Sequence, residues 1–568
     1  MNSALSRLPD EFLPHAICEK AGIIGVRAGS SAPQNYPQIC AQNCGPSFVW
    51  PSSPAINDLE YDSRKIKPGA LYFALSGLHT DGHDYINDAI DRGAVAVVHQ
   101  KELNEFREGV LYILVKDSRL AMSPIADAFY GFPSRRMGII GVTGTEGKST
   151  TVYLIYQLLK LSGKKAGFIS TVQQGNGLEE KWNSEHQTTP EAVTIHRLLA
   201  EMYGNGAEYA VLESSSHGLS KKTGRLADVD FDIGVMTNVT HEHLEFHGTW
   251  ENYRNDKTEL FRALDSSPSS HFKLGQSGLS SVPSFGVANA DDPSAAYFSG
   301  ETRHKTYTFS TRGADADLSL RLIESGAGGN WYDVFELSTE STVTLRDQLP
   351  GAFNPGNVLA ALLTVSNLLS VSLETLAPLV PYLKPVRGRM TAINRGQPFQ
   401  VLVDYAHTPS SFSTIFPPLR EQQNSAGGKL ISLFGSPGER DTQKRALQGE
   451  IAASYSDIVI LTDEDPRGEE PMAILEEIAK GCETTHGHKA TADREAGTGL
   501  VRNETLFLIP DRPAALRKAF SLAGKGDLVL LLGKGHENSI IYASGAVAYD
   551  EIAEAEKALE EAGYHAKD

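Results

Sequence analysis

Gly141-Val-Thr-Gly-Thr-Glu-Gly-Lys148-Ser-Thr-Thr151 is the stretch on which the reading of this chain turns. It follows the apolar run Met137 to Val142, which reads as a buried strand. It opens a segment with Val152, Ile155 and Leu159 on one helical face, closed by Gly163. A strand, a glycine-rich turn and a helix N-terminus together make an anion cradle. Backbone N–H groups point at phosphate oxygens and the helix dipole adds to the field. Lys148 is placed to reach β- and γ-phosphates, and the hydroxyl of Ser149 or Thr150 to hold Mg²⁺. The spacing departs from the usual Walker A pattern, because five residues rather than four separate Gly141 from the Gly147-Lys148 pair. The bland alternative is a strand-to-helix turn with no ligand. The lysine, the hydroxyls and both flanks favour nucleotide binding over it.

Length and composition bound the rest. A chain of 568 residues has room for about three to four domains. Apolar content of 40% and charged content of 21% are those of an ordinary globular protein. A formal net charge of −18 argues against a nucleic-acid or anionic-membrane binder, so an anionic ligand must be held by local fields. The cysteines Cys18, Cys40, Cys44 and Cys482 are too few for a disulfide scaffold. Cys40 and Cys44 are spaced like half of a zinc site, but no second ligand pair follows, and they read as free thiols in a reducing compartment. Met1 to His15 lacks the apolar segment of a signal peptide, and no run approaches a membrane span. The expectation is a cytoplasmic protein with no membrane insertion.

Three blocks follow along the chain. In the first, to about Phe132, a polar stretch (Arg27 to Pro54) precedes Tyr61-Asp-Ser-Arg64, a Pro68-Gly69 turn, the strand-like Leu71 to Leu75, Asp81-Gly-His-Asp84, a short helix and the apolar run Ala94 to Val98. This is the pattern of a small α/β domain. In the second, Arg136 to Leu383, Glu208 to Glu213 and Asp232 to Thr237 read as strands of a parallel sheet covered on both faces. Ligands of such sheets sit beyond the carboxyl ends of the strands, so Glu213, Ser215, Ser216, His217 and Asn238 to His243 are expected to converge on the phosphate loop. His217 taken alone reads as a structural histidine. The segment Ser310 to Gln348 is poorly patterned. In the third, Pro385 to Asp568, four strand-like runs end in Asp404-Tyr-Ala-His407, Gly435 to Arg440, Asp463 to Glu469 and Lys534-Gly-His-Glu537, a doubly wound pattern with a site at one sheet edge.

These residues together resemble the Mur ligases, from Asp58 onward. The matching motifs are Tyr61 to Arg64, Gly141 to Thr151, Thr188-Thr-Pro190, Glu213 to Leu219, Thr237-Asn238 with His243-Leu-Glu-Phe-His247, Lys257, Asn289 to Asp292, Gly351 to Asn357, Gly388-Arg389-Met390, Asp404 to His407 and Lys534 to Glu537. The resemblance implies an α/β protein of three domains. These are a small N-terminal UDP-binding domain (1–134), a central P-loop-type ATPase domain with a mainly parallel sheet (135–384) and a C-terminal Rossmann-like domain (385–568). It implies an ATP-dependent amide-forming ligase of peptidoglycan precursor synthesis, of the kind that adds a diamino acid to UDP-N-acetylmuramoyl-L-alanyl-D-glutamate. ATP phosphorylates the acceptor carboxylate, and an incoming amine displaces phosphate through a tetrahedral intermediate. A monomer is expected.

Phosphoryl transfer to a carboxylate brings negative charges together, so positioned cations supply most of the catalysis. By the resemblance, Gly144, Thr145, Gly147, Lys148, Ser149, Thr150, Asn289, Arg389 and Asp404 hold ATP. Mg²⁺ falls to Thr150 and Glu213, and a second Mg²⁺ to His243 and a carbamylated Lys257. Carbamylation turns an ammonium that repels the metal into an anionic oxygen ligand. Without the resemblance, Lys257 reads as a solvated helix lysine. Ser63, Thr188, Thr189, Ser216 and Arg225 match positions that hold the UDP-muramoyl-dipeptide, and Arg440, Asp465, Arg467, Gly533 and Glu537 match contacts to the amino acid.

The chain departs from the family pattern at several points. Glu146 stands where Asn is usual, either turned outward or on Mg²⁺. The Gly218 to Arg225 segment is about two residues longer than usual, Glu242 replaces an Asp, and Gly435-Ser-Pro-Gly438 carries Ser and Pro where Cys or Gly is usual. In the amino-acid pocket the usual Asp-Asn-Pro-Arg becomes Glu464-Asp465-Pro466-Arg467. Arg467 keeps a bidentate clamp for the distal carboxylate of meso-diaminopimelate, whereas the anionic Asp465 favours a terminal ammonium, as in L-lysine or L-ornithine. The balance leans to diaminopimelate. Two rivals are a folylpolyglutamate-synthase-like ligase, against which the Tyr61 to Asp84 motifs speak, and a non-catalytic nucleotide-binding regulator, against which Lys148, His243 and Lys257 speak.

Overall fold

The computed structural model describes residues 14–28, 55–77, 80–183, 188–240, 244–266, 273–275, 278–280, 282–326, 329–351, 354–484, 492–493, 500–502 and 505–565. His243, Glu242, Cys40 and Cys44 lie outside the described residues. The chain divides into two compact units, residues 1–144 with 159–307 and residues 145–158 with 308–568. Each is an α/β assembly, as the alternation of apolar runs and helical segments predicts.

The first unit holds two sheets. One has the strand order Ile23–Ala28, Leu111–Val115, Ala94–His99, Ala70–Phe73, Asp58–Glu60. Its members run parallel except Ile23–Ala28. Leu71, Phe73, Ala96, Val98 and Ile113 pack under the helix Ser118–Phe129. That helix starts where Asp117 accepts hydrogen bonds from the Arg119 and Leu120 N–H groups. Two of these strands leave no mark in the sequence, because Ile23–Ala28 lies beside a polar stretch and Leu111–Val115 follows a charged one.

The other sheet carries the phosphate loop. Its parallel strands stand in the order Phe285–Asn289, Ile233–Met236, Gly138–Thr143, Tyr209–Glu213, Ala166–Ile169. Gly138–Thr143 is central and buried along its whole length, which is why its sequence is apolar without alternation. The helices Ala192–Gly204 and Trp250–Ser266 supply Ile195, Leu199, Leu260 and Phe261 to the core on one face.

In the second unit the poorly patterned segment is an antiparallel meander, Leu318–Gly326, Gly329–Glu336 and Ser341–Asp347. Ser341–Asp347 alternates exposed residues with partly or fully buried ones, so it lacks the apolar run that announces a buried strand. The C-terminal sheet has a parallel core in the order Gln400–Asp404, Leu528–Leu532, Leu430–Phe434, Ile458–Leu461, Leu506–Leu508, with Thr391–Ile393 antiparallel at one edge. Helices cover both faces, each over its own apolar core. The four runs read from sequence are there; Leu506–Leu508 is a fifth, too short to register as a pattern.

Beyond the ends of two of these strands lies a fully buried ion pair. Arg512 Nη2 donates to Glu551 Oε1 at 2.7 Å and its Nε to Glu551 Oε2 at 2.8 Å, both side chains 0% exposed. Arg512 also donates to the Asp463 and Leu532 carbonyls, and Tyr549 donates its hydroxyl to Glu551. Removing one partner strands the other charge in the interior. Glu551→Ala should therefore cost about 3–5 kcal/mol of stability, read as a lowered urea midpoint; a loss under about 1 kcal/mol, the size of a surface ion pair, would show that the guanidinium finds water or another acceptor.

Candidate active site

The loop after the central strand is held by close packing. Gly144 has φ +153°, and a Cβ there would stand 1.9 Å from Thr237 Oγ1. The Thr237 N–H donates to the Thr143 carbonyl at 3.0 Å, so two adjacent strand ends are tied together at the loop. Asn289 Nδ2 donates to the Thr237 carbonyl at 2.9 Å, so this expected nucleotide contact also braces the same edge.

Lys257, on the helix Trp250–Ser266, is 1% exposed. Its ammonium donates to the Gly144 carbonyl and lies over the Tyr253 ring at 4.4 Å. The solvated helix lysine of the bare sequence reading is therefore corrected: Lys257 is buried at the phosphate loop. Glu213, at the end of its strand, is buried as well, and its Oε2 accepts the Thr171 N–H at 2.8 Å. A single buried carboxylate is the oxygen donor that Mg²⁺ uses when phosphates and waters complete its shell.

The expected substrate residues of the first unit stand beside Glu213. Thr189 Oγ1 donates to the Glu213 carbonyl at 3.1 Å and lies 2.8 Å from Ser215 Oγ. Arg225 donates to the Thr189 carbonyl and, through Nη2, to Glu191, which Arg119 also reaches. Ser216 Oγ lies 3.0 Å from His247 Nε2, and His247 Nδ1 lies 2.8 Å from Asp256 Oδ2. Thr188 is half-buried next to Thr189. Ser63 opens a short 3₁₀ turn capped by Asp62, whose carboxyl the Arg64 side chain holds below its usual range.

In the second unit, Lys148 Nζ donates to the Thr145 carbonyl at 2.7 Å, folded back on its own loop. Ser149 is buried and Thr150 half-buried at the start of the helix Lys148–Leu161. Thr151 Oγ1 donates to Asn357 Oδ1 at 3.3 Å, and Gly147 packs against the same amide.

The C-terminal motifs come together as one cluster. Asp404 is buried, and burial raises its carboxyl while Arg389 opposes the rise. Its oxygens accept the Met390 and Ala406 N–H groups at 2.8 and 2.7 Å, so it fixes the turn that carries Arg389. The Arg389 guanidinium lies 4.8 Å from the Tyr405 ring centre. Tyr405 donates to Glu537 at 3.2 Å. Lys534, buried, donates to both Glu537 and Asp465 Oδ1, the latter at 2.9 Å, and Asp465 Oδ1 also accepts the Ile541 N–H. The anion expected to meet a substrate ammonium is thus already neutralised by Lys534, whose motif the sequence marks but whose pairing with Asp465 it does not. Gly533, at φ +96°, lies against Glu464, whose buried carboxyl is raised by desolvation. Desolvation also pushes Asp463 up to about 6. Arg467, at φ 56°, is pinned by its N–H to the Ile541 carbonyl, and its buried Nε has no hydrogen-bond partner among the described residues. Arg440 is exposed. Sequence reasoning missed Arg445, which is buried and pairs with Glu469 and Glu477 while donating to the Pro437 carbonyl. Nothing in a helix sequence marks such a cation in advance.

The chain is similar to known proteins along most of its length. Three family descriptions cover the chain: "Mur ligase family, catalytic domain" at residues 55–130, "Mur ligase middle domain" at 142–365 and "Mur ligase, glutamate ligase domain" at 388–535. The UDP-N-acetylmuramyl-tripeptide synthetase of Treponema denticola is 49% identical over 526 residues, 89% of this chain and 94% of that protein. The chain belongs to the Mur ligase family. The UDP-N-acetylmuramoyl-L-alanyl-D-glutamate–2,6-diaminopimelate ligase of Geobacillus thermodenitrificans is 37% identical over 511 residues, 90% of this chain and 96% of that protein. A solved structure of a ligase of that name superposes with a TM-score of 0.56 at 26% identity, covering 91% of this chain and 97% of the other. As a Mur ligase the chain is an ATP- and Mg²⁺-dependent amide-forming enzyme acting on a UDP-muramoyl peptide and an amino acid.

Lys148→Ala should lower kcat/KM by about 10²-fold or more, because only charge stabilisation of the phosphates is lost. The unfolding transition should be unchanged. Activity within about tenfold of wild type would remove Lys148 from that role.

Proposed function

We propose that this Mur ligase joins a diamino acid to the side-chain carboxylate of UDP-N-acetylmuramoyl-L-alanyl-D-glutamate. The carboxylate oxygen attacks the γ-phosphorus of ATP, the bond to ADP breaks, and the substrate amine then attacks the acyl phosphate. An N–H proton is lost and inorganic phosphate leaves with the C–O electron pair. Mg²⁺, when bound, would supply neutralisation of the phosphate charge. Lys148 neutralises the β- and γ-phosphates, Gly144, Thr145, Gly147 and Ser149 line the loop, and Asn289, Arg389 and Asp404 grip the nucleotide. Thr150 and Glu213 would hold one metal, and His243 with a carbamylated Lys257 a second. The buried Lys257 supports that last role, since its side-chain nitrogen is held out of water beside Gly144 of the phosphate loop. Ser63, Thr188, Thr189, Ser216 and Arg225 hold the muramoyl-dipeptide; Arg440, Asp465, Arg467, Gly533 and Glu537 form the amino-acid pocket.

The observation that carries the amino-acid assignment is Arg467, a guanidinium with a buried, unpartnered Nε on a pinned backbone. That is a receptor for a carboxylate. With Asp465 committed to Lys534, a substrate ammonium has less to gain there, so meso-diaminopimelate remains the first candidate over L-lysine or L-ornithine. Domains at 1–134, 135–384 and 385–568 are supported by family matches that fall inside each. A monomer in the cytoplasm, without nucleic-acid or membrane partners, completes the reading, and a net charge of −18 speaks against a general nucleic-acid partner.

Two measurements test this. Lys257→Ala should be inactive and partly rescued by short-chain carboxylic acids that replace the carbamate oxygens; an active wild-type sample whose ¹³C spectrum in labelled bicarbonate shows no carbamate removes the modification. Phosphate release with UDP-muramoyl-dipeptide and a panel of diamino acids should favour meso-diaminopimelate, and Arg467→Ala should cost that substrate about 2–5 kcal/mol in kcat/KM while sparing L-lysine and L-ornithine. Faster wild-type turnover of L-lysine or L-ornithine overturns the diaminopimelate assignment and gives Arg467 to the α-carboxylate.

A further inference from the structure

The chain Asp256–His247–Ser216 has no part in the roles above beyond Ser216 itself. His247 is buried, and every side of its ring is engaged. Phe246, Tyr253 and His217 pack edge-on or tilted around it at 4.7, 5.2 and 5.2 Å between ring centres. Asn252 Nδ2 donates to the His247 carbonyl at 3.0 Å and fixes the backbone. The ring is therefore held in one orientation, with Nδ1 2.8 Å from Asp256 Oδ2 and Nε2 3.0 Å from Ser216 Oγ. A carboxylate has no proton to give, so the ring tautomer that fits carries its hydrogen on Nδ1 toward Asp256 and offers the lone pair of Nε2 to Ser216. The Ser216 hydroxyl then donates to Nε2, and its own lone pairs are what it can present to a ligand.

We infer that His247 is a positioning residue for the muramoyl-dipeptide: backed by Asp256, it orients the Ser216 hydroxyl so that Ser216 accepts an N–H or O–H of the peptide substrate. The inference rests on the reading of Ser216 as a substrate contact. The same arrangement explains why Ser216 alone, in a run of three serines, has its hydroxyl committed to a side chain of the helix Leu244–His247. Ser214 donates to the Leu212 carbonyl, and Ser215 accepts the Gly218 N–H as a helix cap. Asp256 and Lys257 are successive residues, so one turn of the helix Trp250–Ser266 supports both the substrate serine and the phosphate loop.

The test is a double-mutant cycle with steady-state kinetics in which each substrate is varied in turn. Ser216→Ala and His247→Leu should each raise KM for UDP-muramoyl-dipeptide about tenfold, leave KM for ATP within about twofold, and in combination do no more than either alone. His247→Gln, whose side-chain carbonyl can take the place of the Nε2 acceptor, should recover most of the loss, which a purely packing role for the ring would not allow. If Ser216→Ala leaves the dipeptide KM unchanged, the reading of Ser216 fails and this inference with it. If Ser216→Ala raises KM but the His247 variants add to it independently, or raise KM for ATP equally, the inference is overturned while Ser216 keeps its contact. Should His247→Leu fold poorly by thermal unfolding, the Ser216→Ala and His247→Gln pair decides the cycle, with Gln adding no further loss on the Ala background if the coupling is real.

Discussion

The buried Lys257 ammonium, donating to the Gly144 carbonyl over the face of Tyr253, is the contact on which the rest of the first unit's site depends. An amine taken out of water needs acceptors and a fixed place. Here the acceptor is the phosphate loop itself, so the loop and the helix Trp250–Ser266 cannot move apart without exposing the cost of that burial. The helix then serves two tasks with adjacent residues. Lys257 faces the loop, and Asp256 backs His247 and through it Ser216.

An acidic chain that handles anions has to concentrate cations locally, and this one does so with buried, paired groups. Lys534 sits between Asp465 and Glu537, Arg512 between Glu551 and two strand-end carbonyls, and Arg445 between Glu469 and Glu477. Such pairs add little net stability, because desolvation offsets the attraction, but breaking one is costly. Their effect is geometric: Arg512 holds the carbonyls of Asp463 and Leu532, directly before the segments Glu464 to Arg467 and Gly533 to Glu537.

The legible parts of the site were those where short-range chemistry dictates the sequence. A phosphate loop needs glycine where a Cβ would strike Thr237, as at Gly144, and a central parallel strand needs an unbroken apolar run, as from Gly138 to Val142. Strand ends rich in polar residues announced the Asp404, Glu464 and Lys534 segments. The meander from Leu318 to Asp347 was not legible, since half-exposed antiparallel strands carry mixed residues on both faces.

By itself, then, the sequence determined the α/β class, the nucleotide loop and the family, because those rest on local backbone requirements written residue by residue. Only the tertiary structure decided what each charge faces. It turned Lys257 from a surface lysine into a buried contact of the loop, and it neutralised Asp465 with Lys534 across 69 residues of chain. It also joined Ser216 to His247 and Asp256. The physical reason is that a side chain's charge is fixed by its type, whereas its partner, its burial and hence its chemistry are set by contacts between segments distant in sequence.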